Sequence, residues 1–447
     1  MPEADIGTIL IYALLAPLRW LLALWWLWVF LLLLPIAKGL WREYRVMRYK
    51  RRISWATLEI LMPREVRKSP KAMEQMLAQI YSLRNAPSDM LERYWDGEVT
   101  LWFSLEITSF GGDIHFFIRT PVQYRRVVES YIYANYIDVE VVESADYVER
   151  MPEEVPSLYR MGLEIFGMEL KFGRGDMYPI RTYPAFESVE EEKSLDPFSA
   201  IIEVLSKVKK GEQVWLQLVI SAVGGEWYAA QRKMVEELKL KTTQIIRLKK
   251  GDRMEETIIP RSPGQSEILE SIERKLTKGA FSTIVRFFYV APRTKFDRQL
   301  VYRGLRAAFA QYSAQDLNFF IANNKTRTTV RWINFPHFFI KKRAEGRKQR
   351  LWQNYRLRDM PKESRIAKVL NSHPFYFDNK SVAMVLNTEE LATLFHPPSY
   401  LVLTAPFLKR VEARRLGPPA GLEIFGDKES DGLPAFTVPE SEEERAS

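Results

Sequence analysis

From Trp20 to Ala37 the sequence reads WLLALWWLWVFLLLLPIA, eighteen residues without a charge. A run of that length reaches across the hydrocarbon of a bilayer as a helix, and a soluble core rarely needs one so uniform. Trp20, Trp25, Trp26 and Trp28 before its middle, and Trp41 and Tyr44 after it, suit the two interfacial aromatic belts. Lys38, Arg42, Arg45, Arg48, Lys50, Arg51 and Arg52 follow against the single acid Glu43, while Glu3, Asp5 and Arg19 precede. The positive-inside bias places the chain after residue 38 in the cytoplasm. The expectation is a single-pass protein of the cell inner membrane, with the lipid bilayer as a partner. The earlier apolar segment, Ile6 to Leu18, is short for a span and is set apart by Pro17 and Arg19. It reads as the first part of a kinked, tilted helix or as an interfacial helix. No small-residue cleavage site follows before the basic run, which argues against a cleaved signal peptide.

The remaining length allows two or three domains within the 447 residues. There is no cysteine, which removes disulfides, thiolate metal sites and cysteine nucleophiles and fits a cytoplasmic location. The net charge of +9 is concentrated in part beside the apolar run, where anionic lipid is the nearest partner.

Apolar alternation and turn residues give the following organisation. Residues 1–52 are a membrane anchor with a basic juxtamembrane segment. In residues 53–150, strands are expected at 57–63, 99–109, 114–121 and 139–144. Helices follow Ser69-Pro70 and span Tyr124 to Tyr133, and Gly111-Gly112 makes a hairpin turn. The order βαββαβ is that of a ferredoxin-like split unit. Residues 151–340 read as a second, elaborated copy. It has strands and a hairpin over Leu163–Tyr183, a helix after Asp196-Pro197, a strand at 214–223 and a charged helix at 226–241. A polar insertion covers Thr242–Gln265, a helix 267–277, a strand 281–292, a helix 297–312 and a strand 317–322. Residues 341–425 hold a basic helix and a C-terminal docking segment, and 426–447 an acidic disordered tail. The fold class is thus α+β, an N-terminal transmembrane helix followed by ferredoxin-like layers.

Motifs for chemistry are missing. There is no G-x-x-x-x-G-K-[ST] loop, no H-E-x-x-H and no G-x-S-x-G. His115, His337, His373 and His396 are scattered, and His115 reads as a structural histidine in a strand. Asp176 and Asp196 sit beside Gly or Pro, as turn and cap residues do. No catalytic residues, cofactor sites or metal ligands are assigned, and the chain reads as non-enzymatic.

The stretch 341–365 is strongly basic. Lys341, Lys342, Arg343, Arg347, Lys348 and Arg350, with Trp352 and Tyr355 between them, are candidates for contact with nucleic acid or lipid. The competing reading is a solvated face, or a helix held against the inner membrane surface.

Several segments, namely 103–147, 196–220, LNTEELATLFHPPS at 386–399 and VEARRLGPPAGL at 411–422, resemble the N-terminal region of bacterial conjugative, type IV secretion-type ATPases related to coupling proteins. The resemblance runs in order through most of residues 55–425. In that family a membrane-anchored region precedes a P-loop motor. With no P-loop in the sequence, no nucleotide site carries over, and the resemblance implies an assembly component working with a P-loop ATPase on another chain. Transferred DNA is a further candidate partner, and the chain is expected to form a homo-oligomer within the assembly. The short helix 389–395 carries Leu391, Leu394 and Phe395, which either dock that ATPase or fill the protein's own core.

Overall fold

A computed structural model describes residues 23–63, 68–187, 196–242, 244–250, 253–259, 261–330, 337–361, 380–398 and 410–411. The expectations for residues 6–18, for the basic segment beyond 361 and for the tail lie outside these residues. So does the docking segment from 399 on, except 410–411.

Helix α1, Trp25–Arg52, carries the apolar run onward through Pro35 into the basic segment without a break. Among the described residues it is the one helix long and apolar enough to cross a membrane, and none of its apolar window is buried. The chain then enters β1 (Trp55–Pro63), α2 (Lys71–Ser82), β2 (Trp102–Phe110), β3 (Asp113–Pro121), α3 (Arg125–Asn135) and β4 (Glu140–Glu143). These boundaries fall within a few residues of those read from alternation and periodicity. Gly111 and Gly112, at φ 65° and 104°, make the β2–β3 turn in a region open to glycine.

The second half contributes α4 (Val155–Arg160), β5 (Leu163–Phe172), α5 (Ser199–Ser206), β6 (Gln213–Ala222), α6 (Gly225–Thr242), β7 (Gln244–Lys250), β8 (Arg253–Ile259), α7 (Pro263–Thr277) and β9 (Ala280–Pro292). A π-helical turn at Leu300–Leu305 runs into α8 (Arg306–Ala310), and β10 (Phe320–Ala322) follows. The hairpin expected over Leu163–Tyr183 is a single strand, because after Gly173 the chain turns away to bond with Asn318 rather than back on itself. The polar insertion is a β7–β8 hairpin at the end of the α6–α7 pair. Helix α9 (Ile340–Arg356), β11 (Met384–Asn387), α10 (Thr388–Leu394) and β12 (Arg410–Val411) complete the described chain.

β4-β1-β3-β2 is the spatial order of the first four strands, every pairing antiparallel. β10-β5-β9-β6 is the order of the second set, again antiparallel throughout, so the second half repeats the path of the first. The two sets join through β2 and β6, which pair antiparallel from Trp102↔Ser221 to Phe110↔Gln213. With β11 beside β9 and β12 beside β1, one ten-stranded sheet results. Its centre is the pair Glu106↔Gln217, midway along the β2–β6 register.

Alternation along the strands separates two faces. One carries Leu58, Ile60, Leu105, Phe116, Leu216, Leu218, Phe287 and Met168, covered by α2, α3, α5, α8 and α10. The other carries Phe117, Trp215, Phe288 and Ile165, covered by α4 and α9. The sheet is therefore buried on both sides in its middle, and most central residues are apolar whichever way they point.

Candidate functional site

The second face holds a row of polar residues across the middle of the sheet. Cross-strand partners share a face, so the registers Glu59↔Phe117, Phe117↔Glu106, Glu106↔Gln217, Gln217↔Arg286 and Arg286↔Glu169 form one line through six strands. Each polar member is directly flanked in its strand by apolar residues. Burying a charge is tolerated only where partners compensate it, and each has them.

Glu106 is fully buried and takes both forks of Arg358, Nε to Oε1 at 2.9 Å and Nη2 to Oε2 at 3.0 Å. Ser104 Oγ, Gln217 Nε2 and Tyr147 Oη also donate to it, at 2.6, 3.0 and 2.7 Å. Arg358 turns its remaining donors to Asp146 at 2.6 and 2.8 Å. Burial alone would raise the Glu106 carboxyl; the charge and hydrogen bonds of Arg358 overcome it and bring the carboxyl down to about 2. Burial pushes the Tyr147 and Tyr355 hydroxyls, 2.7 Å apart, well above their ordinary range, so both remain neutral. Arg119, 3.9 Å from Asp146, is brought down to about 10 by burial and by the charge of Arg358.

A second cluster flanks it. Arg286 Nε donates to Glu169 at 2.8 Å, and its other nitrogens reach the Asn354 and Asp359 carbonyls at 3.2 and 2.6 Å. Ser381 donates to the same carboxylate. Through Arg358 and Arg286 the sheet grips the C-terminal end of α9 and the turn that follows. Arg358 itself stands at φ 49°, a strained region for a non-glycine residue, held by these ion pairs.

Helix α9 is where the basic candidates fall. Arg343 and Arg347 are each 1% exposed, and Trp352 and Tyr355 are 0% exposed. Trp352 stacks on Trp215 with centroids 5.6 Å apart, and Tyr355 meets Phe288 edge-on. Arg347 donates to the Asn324 carbonyl at 3.1 Å. Lys348 is held by Glu164 at 2.7 Å and Tyr159 at 2.8 Å; burial works against its charge, but these partners keep its ammonium above its ordinary value. Lys341 and Lys342 are exposed, and Arg350 is half-buried. The interleaved aromatics thus make no stacking platform facing solvent. They are the core on which the helix lies, and Arg347 and Lys348 serve the protein's own carbonyls and carboxylates.

The third group of candidates is on α10. Leu391, Leu394 and Phe395 lie in the main core, with Phe395 packed edge-on against Phe116, so none of them presents a docking face. This short helix is buried even at its acids. Asn387 and Glu390 form a capping box, at 2.8 Å in each direction. Glu390 also pairs with Lys275 at 3.0 Å and accepts from the Ile180 amide at 2.9 Å. Burial pushes its carboxyl up, against the pull of Lys275. Lys278 bridges Glu74 at 2.6 Å and Glu389 at 2.5 Å, tying α7 to α2 and α10. His396 caps the end, hydrogen-bonded to the Ala392 carbonyl at 2.8 Å and facing Asp196 at 3.2 Å. His115 is likewise partnered, 2.7 Å from Glu59.

In these constellations the charged groups pair with one another inside the protein, so their chemistry is that of clamps. Among the described residues no three His, Asp or Glu side chains converge as metal ligands. The row Glu106, Gln217, Arg286 and Glu169 was not singled out from the sequence. Its signal is legible in retrospect: a charged or amide residue directly flanked by apolar ones at the centre of FSLEITS, WLQLVI, IVRFFYV and FGMELKF.

No curated protein matches the chain. A family model described as "Domain of unknown function (DUF8128)" matches residues 47–407, from the basic end of α1 through β11 and α10, and the chain belongs to that family.

Proposed function

We propose that the protein is a single-pass scaffold of the cell inner membrane, with its bulk in the cytoplasm and no catalytic role of its own. The observation that carries this reading is the continuity of α1. Its apolar half is exposed, while its basic half packs on the folded domain. Val46 is buried, Trp41 donates to the Tyr94 carbonyl at 2.9 Å and Lys50 pairs with Asp359 at 2.6 Å. A helix built into the domain at one end serves as an anchor, whereas a signal sequence is removed. The basic residues at that end favour the cytoplasmic side. The clamps described above, whose charged groups pair within the protein, support a rigid assembly part over an enzyme. Each four-strand set is read as a ferredoxin-like unit, a reading supported by the shared order with the fourth strand outside the first.

The machine is proposed to be of the type IV secretion or conjugation kind, with a P-loop ATPase supplied by another chain, on the strength of the sequence resemblance. Carbonate extraction of membranes tests the anchor: the protein should stay with the lipid, and its release would remove the reading. Co-purification with a P-loop ATPase tests the assembly, and a complex containing none would remove that part alone.

A further inference from the structure

The segment 88–97 is folded against α1 and carries large apolar side chains that stand exposed. Met90 and Leu91 are each 67% exposed and Trp95 62% exposed. Several of its polar groups bond to one another. The Glu92 carboxylate accepts from the Ser88 amide and hydroxyl at 2.6 and 3.0 Å, and Asp89 accepts from the Glu92 amide at 2.8 Å.

Its direction along α1 is fixed by three contacts. Gly97, at φ 73°, abuts the Arg45 backbone so closely that a Cβ would lie 2.4 Å from its carbonyl carbon. Trp95 packs on Trp41 with centroids 5.8 Å apart. Tyr94 accepts from Trp41, and the Lys38 ammonium stands 4.6 Å from its ring. Passing back from Gly97 to Tyr94 therefore moves along α1 from Arg45 toward Lys38, about 10 Å at 1.5 Å per residue. Extended by the same step, the path brings Met90 and Leu91 toward the end of the apolar run at Ala37.

We propose that this segment is a second membrane contact, with Trp95 at the interface beside Trp41 and with Met90 and Leu91 inserted into the edge of the hydrocarbon. The occupant is the bilayer, because the patch is continuous with the aromatic belt of α1; the inference rests on the reading of α1 as a span. Trp and Tyr favour this depth. Asp89, Glu92 and Asp96 outnumber Arg93. The contact is thus apolar and needs no anionic lipid. It would fix the tilt of the domain against the membrane by two points instead of one.

The chain has no cysteine, so single-cysteine variants of the full-length protein carry one spin label each. Met90→Cys, Leu91→Cys, Leu32→Cys and Ile137→Cys, reconstituted in phosphatidylcholine vesicles, are compared for collision with oxygen and with a water-soluble nickel chelate. Ile137 is 77% exposed and lies near the far end of β1. The expected result is lipid-like collision, oxygen above nickel, at residues 32, 90 and 91 and water-like collision at 137. Water-like labels at 90 and 91 with a lipid-like label at 32 would overturn the contact and leave the span standing. Shielding of 90 and 91 from both reagents would mean cover by protein and would overturn it as well. A water-like label at 32 would remove the span, and the inference with it.

Discussion

Arg358 and Glu106 stand 252 residues apart in sequence and are joined by two parallel hydrogen bonds at the centre of the sheet. The pair ties the turn after α9 to the strand where the two halves meet. Removing one partner leaves the other charged, buried and unpaired, which costs about 3–5 kcal/mol. Glu106→Gln and Arg358→Met should each lower the thermal midpoint of the detergent-solubilised protein by several degrees. The double variant should lose less than the sum of the two. Additive losses would show that the pair is not coupled.

The same carboxylate makes stability depend on acid. Its folded value, about 2, lies below the ordinary 4.5. A depressed carboxyl contributes stability that is complete above about pH 4.5 and is lost as the pH falls toward 2. The wild type should therefore lose its advantage over Glu106→Gln across that window, and the two melting curves should converge at its acid end. A constant gap from pH 6 to pH 2.5 would contradict the assignment.

Much of the scaffold could be read from the sequence, and the reasons are specific. Strands β2, β3, β6 and β9 are long, apolar and bounded by Gly or Pro, so their existence and near-boundaries follow from alternation. The role of α9 does not. Its composition is that of a solvated helix, and only tertiary contacts show its inward side, Arg347 on the Asn324 and Arg327 carbonyls and Trp352 and Tyr355 on Trp215 and Phe288. Ion pairs such as Lys275–Glu390 join residues 115 apart, and no local pattern encodes them. The seven residues of α10 illustrate a further limit: Leu391, Leu394 and Phe395 are apolar on one face in either reading, and only tertiary contact shows that the face is filled from within.

Trp352 tests the reading of the basic helix. It packs between Trp215 and Phe288 with no exposed surface. Trp352→Ala should destabilise the fold by about 3–5 kcal/mol, as large-to-small core changes do. A nucleic-acid platform would instead show a normal melting curve and a loss of salt-dependent DNA affinity in gel shifts. That second pattern would restore the platform.

Gly97 tests the junction between helix and domain. Its positive φ and its approach to Arg45 leave no room for a side chain. Gly97→Val should part the segment 88–97 from α1. Trypsin should then cut faster at Arg42, Arg45 or Arg48 than in the wild type. An unchanged digestion pattern would mean that the basic half of α1 is held by other contacts.

The central claim is an anchor with the folded domain inside, and protease added outside spheroplasts tests it most directly. The account predicts that the domain after residue 38 survives intact until the membrane is opened with detergent. Its digestion in sealed spheroplasts would contradict the account.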